Sequence, residues 1–229
     1  MATPRIALLN PNTDVEATRQ MLRSAQAATP AHIKVEGRTA PRGSLFITNE
    51  ADYEAATSVV VSYGQDVAAE GFAGVVIAGF SDPGLRSLRG LLSVPVVGIA
   101  EAGIKEAGLH GGRSRRYSIV AITQALEANQ RRSAAAYGHG QNLASVRFTS
   151  GDPKLLYADP AALEHALLAA CELAIRHDGA EAIVIGGGPL SVAADAIAPR
   201  LGVPLIEPVA AAMRRIGREI GARSEGPVI

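Results

Sequence analysis

The chain has no tryptophan, one cysteine, four phenylalanines and five tyrosines in 229 residues, and its 22 basic side chains are matched by 22 acidic ones. Each shortage removes a class of function. A lone cysteine cannot close an internal disulfide, and the opening MATPRIALLN has no secretory apolar stretch behind a basic region, so a cytoplasmic setting is expected. Glycine, serine or charge interrupts every apolar run before the roughly 20 residues of a membrane helix, so no membrane partner is expected. With no net charge there is no basic surplus for a phosphate backbone. Arg113, Arg115 and Arg116 precede an apolar run, and Arg131, Arg132, Arg214 and Arg215 sit in helical patterns, so nucleic acid is not an expected partner either. The scarcity of aromatic rings points instead to a small polar ligand.

What the chain does have is apolar residues, 48% against 19% charged, enough to bury a sizeable core. Short apolar runs alternate with longer amphipathic stretches, the rhythm of parallel strands joined by helices, which makes the fold class α/β. Strands are expected at Ile6 to Leu9, His32 to Gly37, Gly74 to Ala78, Val96 to Ile99, Tyr117 to Ile122, Ala144 to Thr149, Ala182 to Ile185 and Pro204 to Ile206. Helices are expected over Val15 to Ala28, Ala51 to Gly71, Pro83 to Leu92, Glu101 to Gly108, Gln124 to Tyr137, Pro160 to Asp178, Ser191 to Leu201 and Val209 to Ile220.

The sequence also repeats itself. GVVIAGFSDPGLRSLRGLLSVPVVGIAEAGIKEAG is answered by AIVIGGGPLSVAADAIAPRLGVPLIEPVAAAMRRIG at an offset of about 108 positions, pairing Gly79 with Gly187 and Pro95 with Pro204. RIALLNPNT corresponds in the same way to RRYSIVAITQA. Two pseudo-symmetric parallel-sheet lobes follow, one from 1–100 plus 208–229 and one from 101–207, with the site expected in the cleft between them. Four strand-to-helix loops would line it: Asn10 to Thr13, Gly79 to Gly84, Thr123 to Gln124 and Gly186 to Ser191. Free backbone N–H groups at such places favour an anion, although the glycines also serve tight turns.

These segments resemble the Asp/Glu/hydantoin racemase superfamily, in its hydantoin and allantoin racemase branch. LNPNT at Leu9 to Thr13, RTAPRG at Arg38 to Gly43, the Tyr53 helix, GFSDPGL at Gly79 to Leu85, VVGIAEA at Val96 to Ala102, SVR at Ser145 to Arg147, DGAEAIVIGG at Asp178 to Gly187 and VPLI at Val203 to Ile206 follow its order over nearly the whole chain. The resemblance implies cofactor-independent chemistry at a carbon next to a carbonyl, on a small-molecule carboxylate or hydantoin-like cyclic ureide, and members that often form homo-oligomers. Such chemistry needs one group to take a proton from one face and another to return it to the opposite face. Racemases of this kind place a cysteine at the positions that are Gly79 and Gly187 here. Glycine cannot titrate, so a two-thiol mechanism is excluded, and Cys171, at helical spacing with Leu167, Leu168 and Ile175, reads as a core residue.

Three readings of the double glycine stay open: proton exchange by other groups, hydrolase or decarboxylase-like lyase chemistry on a related substrate, and ligand binding without turnover. Related arylmalonate decarboxylases keep one cysteine near the second position and glycine at the first. Glu101, Glu207, Asp82 and Tyr53 are the candidate acids and bases, and both glutamates and Asp82 also suit helix capping. Asn10, Asn12, Thr13, Ser81, Thr123 and Gln124 would orient the ligand by side chain. Phe80, Ser81, Gly188 and Leu190 would stabilise an enolate through backbone N–H groups. The five histidines match no metal spacing, no P-loop and no Ser-His-Asp order is present, and neither metal nor cofactor is expected. His139 in YGHGQ is retained as a residue at the edge of the site.

Overall fold

The computed structural model describes residues 3–109 and 112–224. The chain divides into two compact units, one running to Ala102 and resuming at Val209, the other spanning Gly103–Pro208.

In the first unit, β1 (Arg5–Asn10), α1 (Val15–Ala27), β2 (Lys34–Thr39), α2 (Glu50–Ala69), β3 (Gly74–Ile77), α3 (Leu85–Leu91) and β4 (Val96–Gly98) follow one another, then α4 (Ile99–Gly108) begins. The four strands are parallel in the order β2-β1-β3-β4. Register places Asn10 beside Thr39, and Leu9, Ile77 and Gly98 in line, so every strand of this sheet ends along one edge. Ile6, Leu8, Leu9, Val76 and Ile77 are wholly buried, as in a sheet covered on both faces. Each such side chain contributes about 1.5–3 kcal/mol by leaving water.

The second unit carries β5 (Tyr117–Ala121), α5 (Glu127–Ala136), β6 (Leu143–Phe148), α6 (Pro153–Ala158), α7 (Pro160–Asp178), β7 (Ala182–Ile185), α8 (Ser191–Ile197) and β8 (Leu205–Ile206), before α9 (Pro208–Ser224). Its sheet is also parallel, ordered β6-β5-β7-β8. The two orders are the same permutation, which is the internal repeat expressed as topology. At its carboxyl edge, Ala121 pairs with Phe148, Val120 with Ile185 and Val184 with Ile206.

Local chemistry explains where the helices begin and end. Asp159 accepts from the Ala161 and Ala162 N–H groups ahead of Pro160, and α7 stops at Gly179, which takes φ +69°. α3 starts two residues later than its sequence pattern indicates, because Gly84 adopts φ +72° and Pro83 stays in the loop. The expected helix from Gln124 opens as a 3-10 turn, Gln124–Leu126, and that from Ser191 gives way to another at Ala198–Arg200, around Pro199. The short helix α6 has no counterpart in the sequence reading, although Asp152 capping the Lys154 and Leu155 N–H groups before Pro153 is the same signal that marks α7. His110 and the last five residues lie outside the described residues.

Candidate active site

Within the first unit, the loop after β1 satisfies itself. Asn10 is buried, and its Nδ2 donates to Asn12 Oδ1 at 2.7 Å, Asp14 O at 3.0 Å and Thr18 Oγ1 at 3.0 Å. Its Oδ1 accepts from the Asn12 N–H, and Asn12 Oδ1 accepts from the Asp14 N–H. Asp14 then caps α1 through the Glu16 and Ala17 N–H groups. The expectation that Asn10 presents its amide to a ligand is therefore corrected: that amide builds the loop, and a carboxylate already occupies the helix end. Thr13 donates its N–H to Ser44 O at 3.1 Å, and its half-buried side chain remains at the rim of the loop.

The loop after β3 is differently made. A Cβ on Gly79 would lie 2.5 Å from Pro11 Cγ, so the backbone there is closed over by proline. Half-buried Phe80 follows, and then Ser81 and Asp82 adopt φ +102° and +52°, consecutive non-glycine residues in the left-handed region. Each such residue costs on the order of 1–3 kcal/mol. The Asp82 carboxylate offsets this by accepting from the Ala100 N–H at 2.9 Å and the Glu101 N–H at 2.7 Å, hydrogen bonds to a charged group that contribute about 1.5–3 kcal/mol each. Asp82 thus caps α4, not the helix that follows it. Ser81 is 4% exposed and its Oγ has no hydrogen-bond partner, while Ser81 O accepts from Tyr53 Oη at the long distance of 3.5 Å.

Glu101 sits one turn into this arrangement. Its Oε2 accepts from Arg89 Nη2 at 2.6 Å and Arg215 Nη1 lies 3.1 Å from Oε1, with the glutamate side chain 4% exposed. Arg89 also reaches Val96 O, so α3, β4, α4 and α9 are tied together at this carboxylate. Both Glu101 oxygens face guanidinium groups, which gives the side chain an evident structural task.

In the second unit, Thr123 follows β5 and its carbonyl accepts the Leu126 N–H of the turn that Gln124 opens. Gly186 is held by its N–H on Val120 O at 2.7 Å, and a Cβ there would come within 2.7 Å of Ala121 Cβ. Gly187 is extended, and its missing Cβ would meet Leu190 Cδ1 at 3.0 Å. Gly188 and Leu190 are buried in a short 3-10 turn leading to Ser191, whose Oγ is buried without a partner. Thr149, at the end of β6, has a buried and unpartnered Oγ1 while its N–H bonds Ala121 O. The sequence places Ser191 only as the end of the Gly186–Ser191 loop and Thr149 only as a strand end; the signal for both hydroxyls is a small polar residue directly after an apolar strand or glycine turn. Glu207, 7% exposed, lies between β8 and α9.

His139 belongs elsewhere. Its carbonyl accepts from Tyr117 Oη, its ring fills the space that a Cβ on Gly108 would need, and burial with nearby Lys105 lowers its pKa. Tyr117 opens β5 and Thr123 follows its end, so His139 lies at the amino end of the strand, opposite the Thr123 loop, which corrects its expected place. Cys171 is wholly buried in α7, and desolvation pushes its thiol up to about 12. Among the described residues no group of three His, Cys, Asp or Glu could hold a metal ion, and no helix is long and apolar enough to cross a membrane.

Comparison with known proteins places this geometry. The sequence pattern of the family described as Asp/Glu/hydantoin racemase matches residues 6–216. The chain belongs to that family. A hydantoin racemase of Rhizobium meliloti is 31% identical to it over 217 residues, 95% of this chain and 89% of the relative. An allantoin racemase structure from Klebsiella pneumoniae superposes with a TM-score of 0.90 at 28% identity, covering 96% of this chain and 89% of its own. Allantoin racemase from Pseudomonas fluorescens gives 0.88 at 29% identity, with 96% and 92% covered. This racemase-family member is thus an α/β isomerase-family chain in which the repeat, both sheets and the carboxyl-edge loops are all present.

Proposed function

We propose that the chain performs cofactor-independent proton exchange at the carbon next to a carbonyl of a small carboxylate or hydantoin-like cyclic ureide, without a pair of thiols. The reading rests on one observation: the chain matches hydantoin racemase over 95% of its length while its single cysteine is buried in a helix. A carbonyl next to the reacting carbon lets the charge left by proton removal spread onto oxygen. Fixed N–H donors near that oxygen lower the barrier, and removal of one such donor from an enzyme costs about 10²–10³ in rate. The Phe80, Ser81 and Gly188 N–H groups are the donors in this reading; the Leu190 N–H, also expected to serve, is instead bonded to Gly187 O at 3.2 Å within its 3-10 turn. Asn12, Thr13, Thr123, Gln124 and the Ser81 hydroxyl orient the ligand.

Proton transfer then falls to Glu207 and Tyr53, each to be substituted singly. Glu101, gripped by two arginines, carries no proton in this reading. The test is proton NMR in heavy water with hydantoins, allantoin, malonates and amino acids. Loss of the Cα–H signal without a new compound is the expected result, reduced at least tenfold in Glu207→Gln or Tyr53→Phe. A new product would overturn the reading in favour of hydrolysis or decarboxylation, and ligand shifts without exchange would make the chain a binder.

A further inference from the structure

Helix α4 is capped from a distance. Position 98, directly before the helix and the natural place for a capping side chain, is glycine, and a Cβ there would overlap the Asp82 carboxylate. The cap comes instead from Asp82, which holds the Ala100 and Glu101 N–H groups. A serine or aspartate at position 98 would be the usual local cap for α4. In the arrangement present, Ser81 and Asp82 both stand in the left-handed region. The capping bonds offset that strain but do not require it, and strained backbone that its surroundings over-determine clusters at sites where geometry serves a ligand. The second observation lies one residue away: Ser81 is 4% exposed and its buried hydroxyl makes no hydrogen bond. A buried polar atom left unpaired in the resting chain is costly, and a ligand oxygen or nitrogen would supply its missing partner.

We propose that Asp82 is a positioning residue: seated against Gly98 and bound to the start of α4, it locks Ser81 in its left-handed conformation and keeps that hydroxyl unspent for the ligand. The inference rests on the reading that the Gly79–Gly84 loop meets the ligand. It assigns the loop's shape to a carboxylate that takes no part in proton transfer, and makes Gly98 the residue that admits it.

Two independent readouts test it in the full chain. A positive φ gives a strong intraresidue Hα–HN NOE, so isotope-labelled protein reports Ser81 and Asp82 directly, with no ligand needed. Affinity is read by titrating allantoin and 5-substituted hydantoins. Asp82→Ala and Gly98→Ala, which remove or displace the carboxylate, should abolish the Ser81 NOE and weaken binding at least tenfold. Asp82→Asn, which keeps one acceptor, should retain the NOE and lose less. Ser81→Ala should weaken binding tenfold with an unchanged melting temperature. Gly90→Ala, where a Cβ meets nothing within 4 Å, should alter neither readout.

Asp82→Ala or Gly98→Ala protein that melts earlier but keeps both the NOE and wild-type affinity would make Asp82 a helix cap only and overturn the proposal. If both fail to fold, Asp82→Asn decides: loss of affinity in proportion to loss of the NOE supports positioning, and loss of stability alone overturns it. If the parent chain binds none of these ligands, the functional reading fails on its own. The NOE series then still decides whether Asp82 holds Ser81 in its left-handed form.

Discussion

Glu101 Oε2 accepts a 2.6 Å hydrogen bond from Arg89 Nη2 while the carboxylate itself is almost fully buried, and Arg215 approaches its other oxygen. The two guanidinium groups keep 42% and 24% of their side-chain surface, so they can rehydrate when the glutamate is removed. Glu101→Ala should therefore lower the urea-unfolding free energy by about 2 kcal/mol, below the 3–5 kcal/mol of a wholly buried pair. Proton exchange should fall only with the fraction unfolded. A folded variant without exchange would return Glu101 to the chemistry.

Acid should weaken both units through one carboxylate in each. Arg5, with Lys34 and Arg38, lowers Glu36 from 4.5 to about 2, and Arg147, with Ser145, lowers Asp178 from 3.8 to about 2. A depressed folded pKa adds stability above the unfolded value and loses it as pH falls through the folded one. The melting temperature should drop between about pH 5 and pH 2. Glu36→Gln and Asp178→Asn should each have a lower melting temperature at neutral pH and a shallower fall in acid; unchanged slopes would show that other carboxylates dominate.

Cys171 should behave as a core atom. Burial raises its thiol to about 12, so a thiol reagent should label the native chain no faster than global unfolding allows. Cys171→Ala should leave exchange per folded molecule unchanged. Labelling within seconds under native conditions would contradict this.

The two glycines at the expected thiol positions should respond differently to a side chain. Gly79→Ala pushes its Cβ against the Pro11 ring at 2.5 Å and should cost about 1–3 kcal/mol. Gly187→Ala meets only the Leu190 side chain, Cδ1 at 3.0 Å and Cγ at 3.3 Å, in an extended backbone that any residue adopts, and should cost less, about 1 kcal/mol or below. Denaturant midpoints decide. Restoring cysteine at both positions should create thiol-dependent exchange only if Pro11 gives way.

Most strands were legible because they are short apolar runs bounded by glycine, proline or charge, although β2 (KVEGRT) and β6 (LASVRF) carry charge within them, and the repeat indicated two similar halves. The ends of α3 and α8 were not, since a left-handed Gly84 and a 3-10 turn around Pro199 are decided by how the chain packs. Within the expected loops, the sequence did not reveal which groups would partner one another. Asn10 looked like a ligand amide until the Asn12, Asp14 and Thr18 acceptors closed on it. Asp82 looked like the cap of its own helix and proved to cap another.

By itself the sequence determined class, repeat, family and the absence of a thiol pair, because periodicity, motif order and residue type are properties of the chain read in line. Only the tertiary structure decided that Glu101 lies between two arginines, that Pro11 covers Gly79, and that Ser81 stands strained with its hydroxyl unpaired. Those are matters of which groups meet across tens of residues, and hydrogen bonds, ion pairs and overlaps between distant positions exist only once the chain is packed.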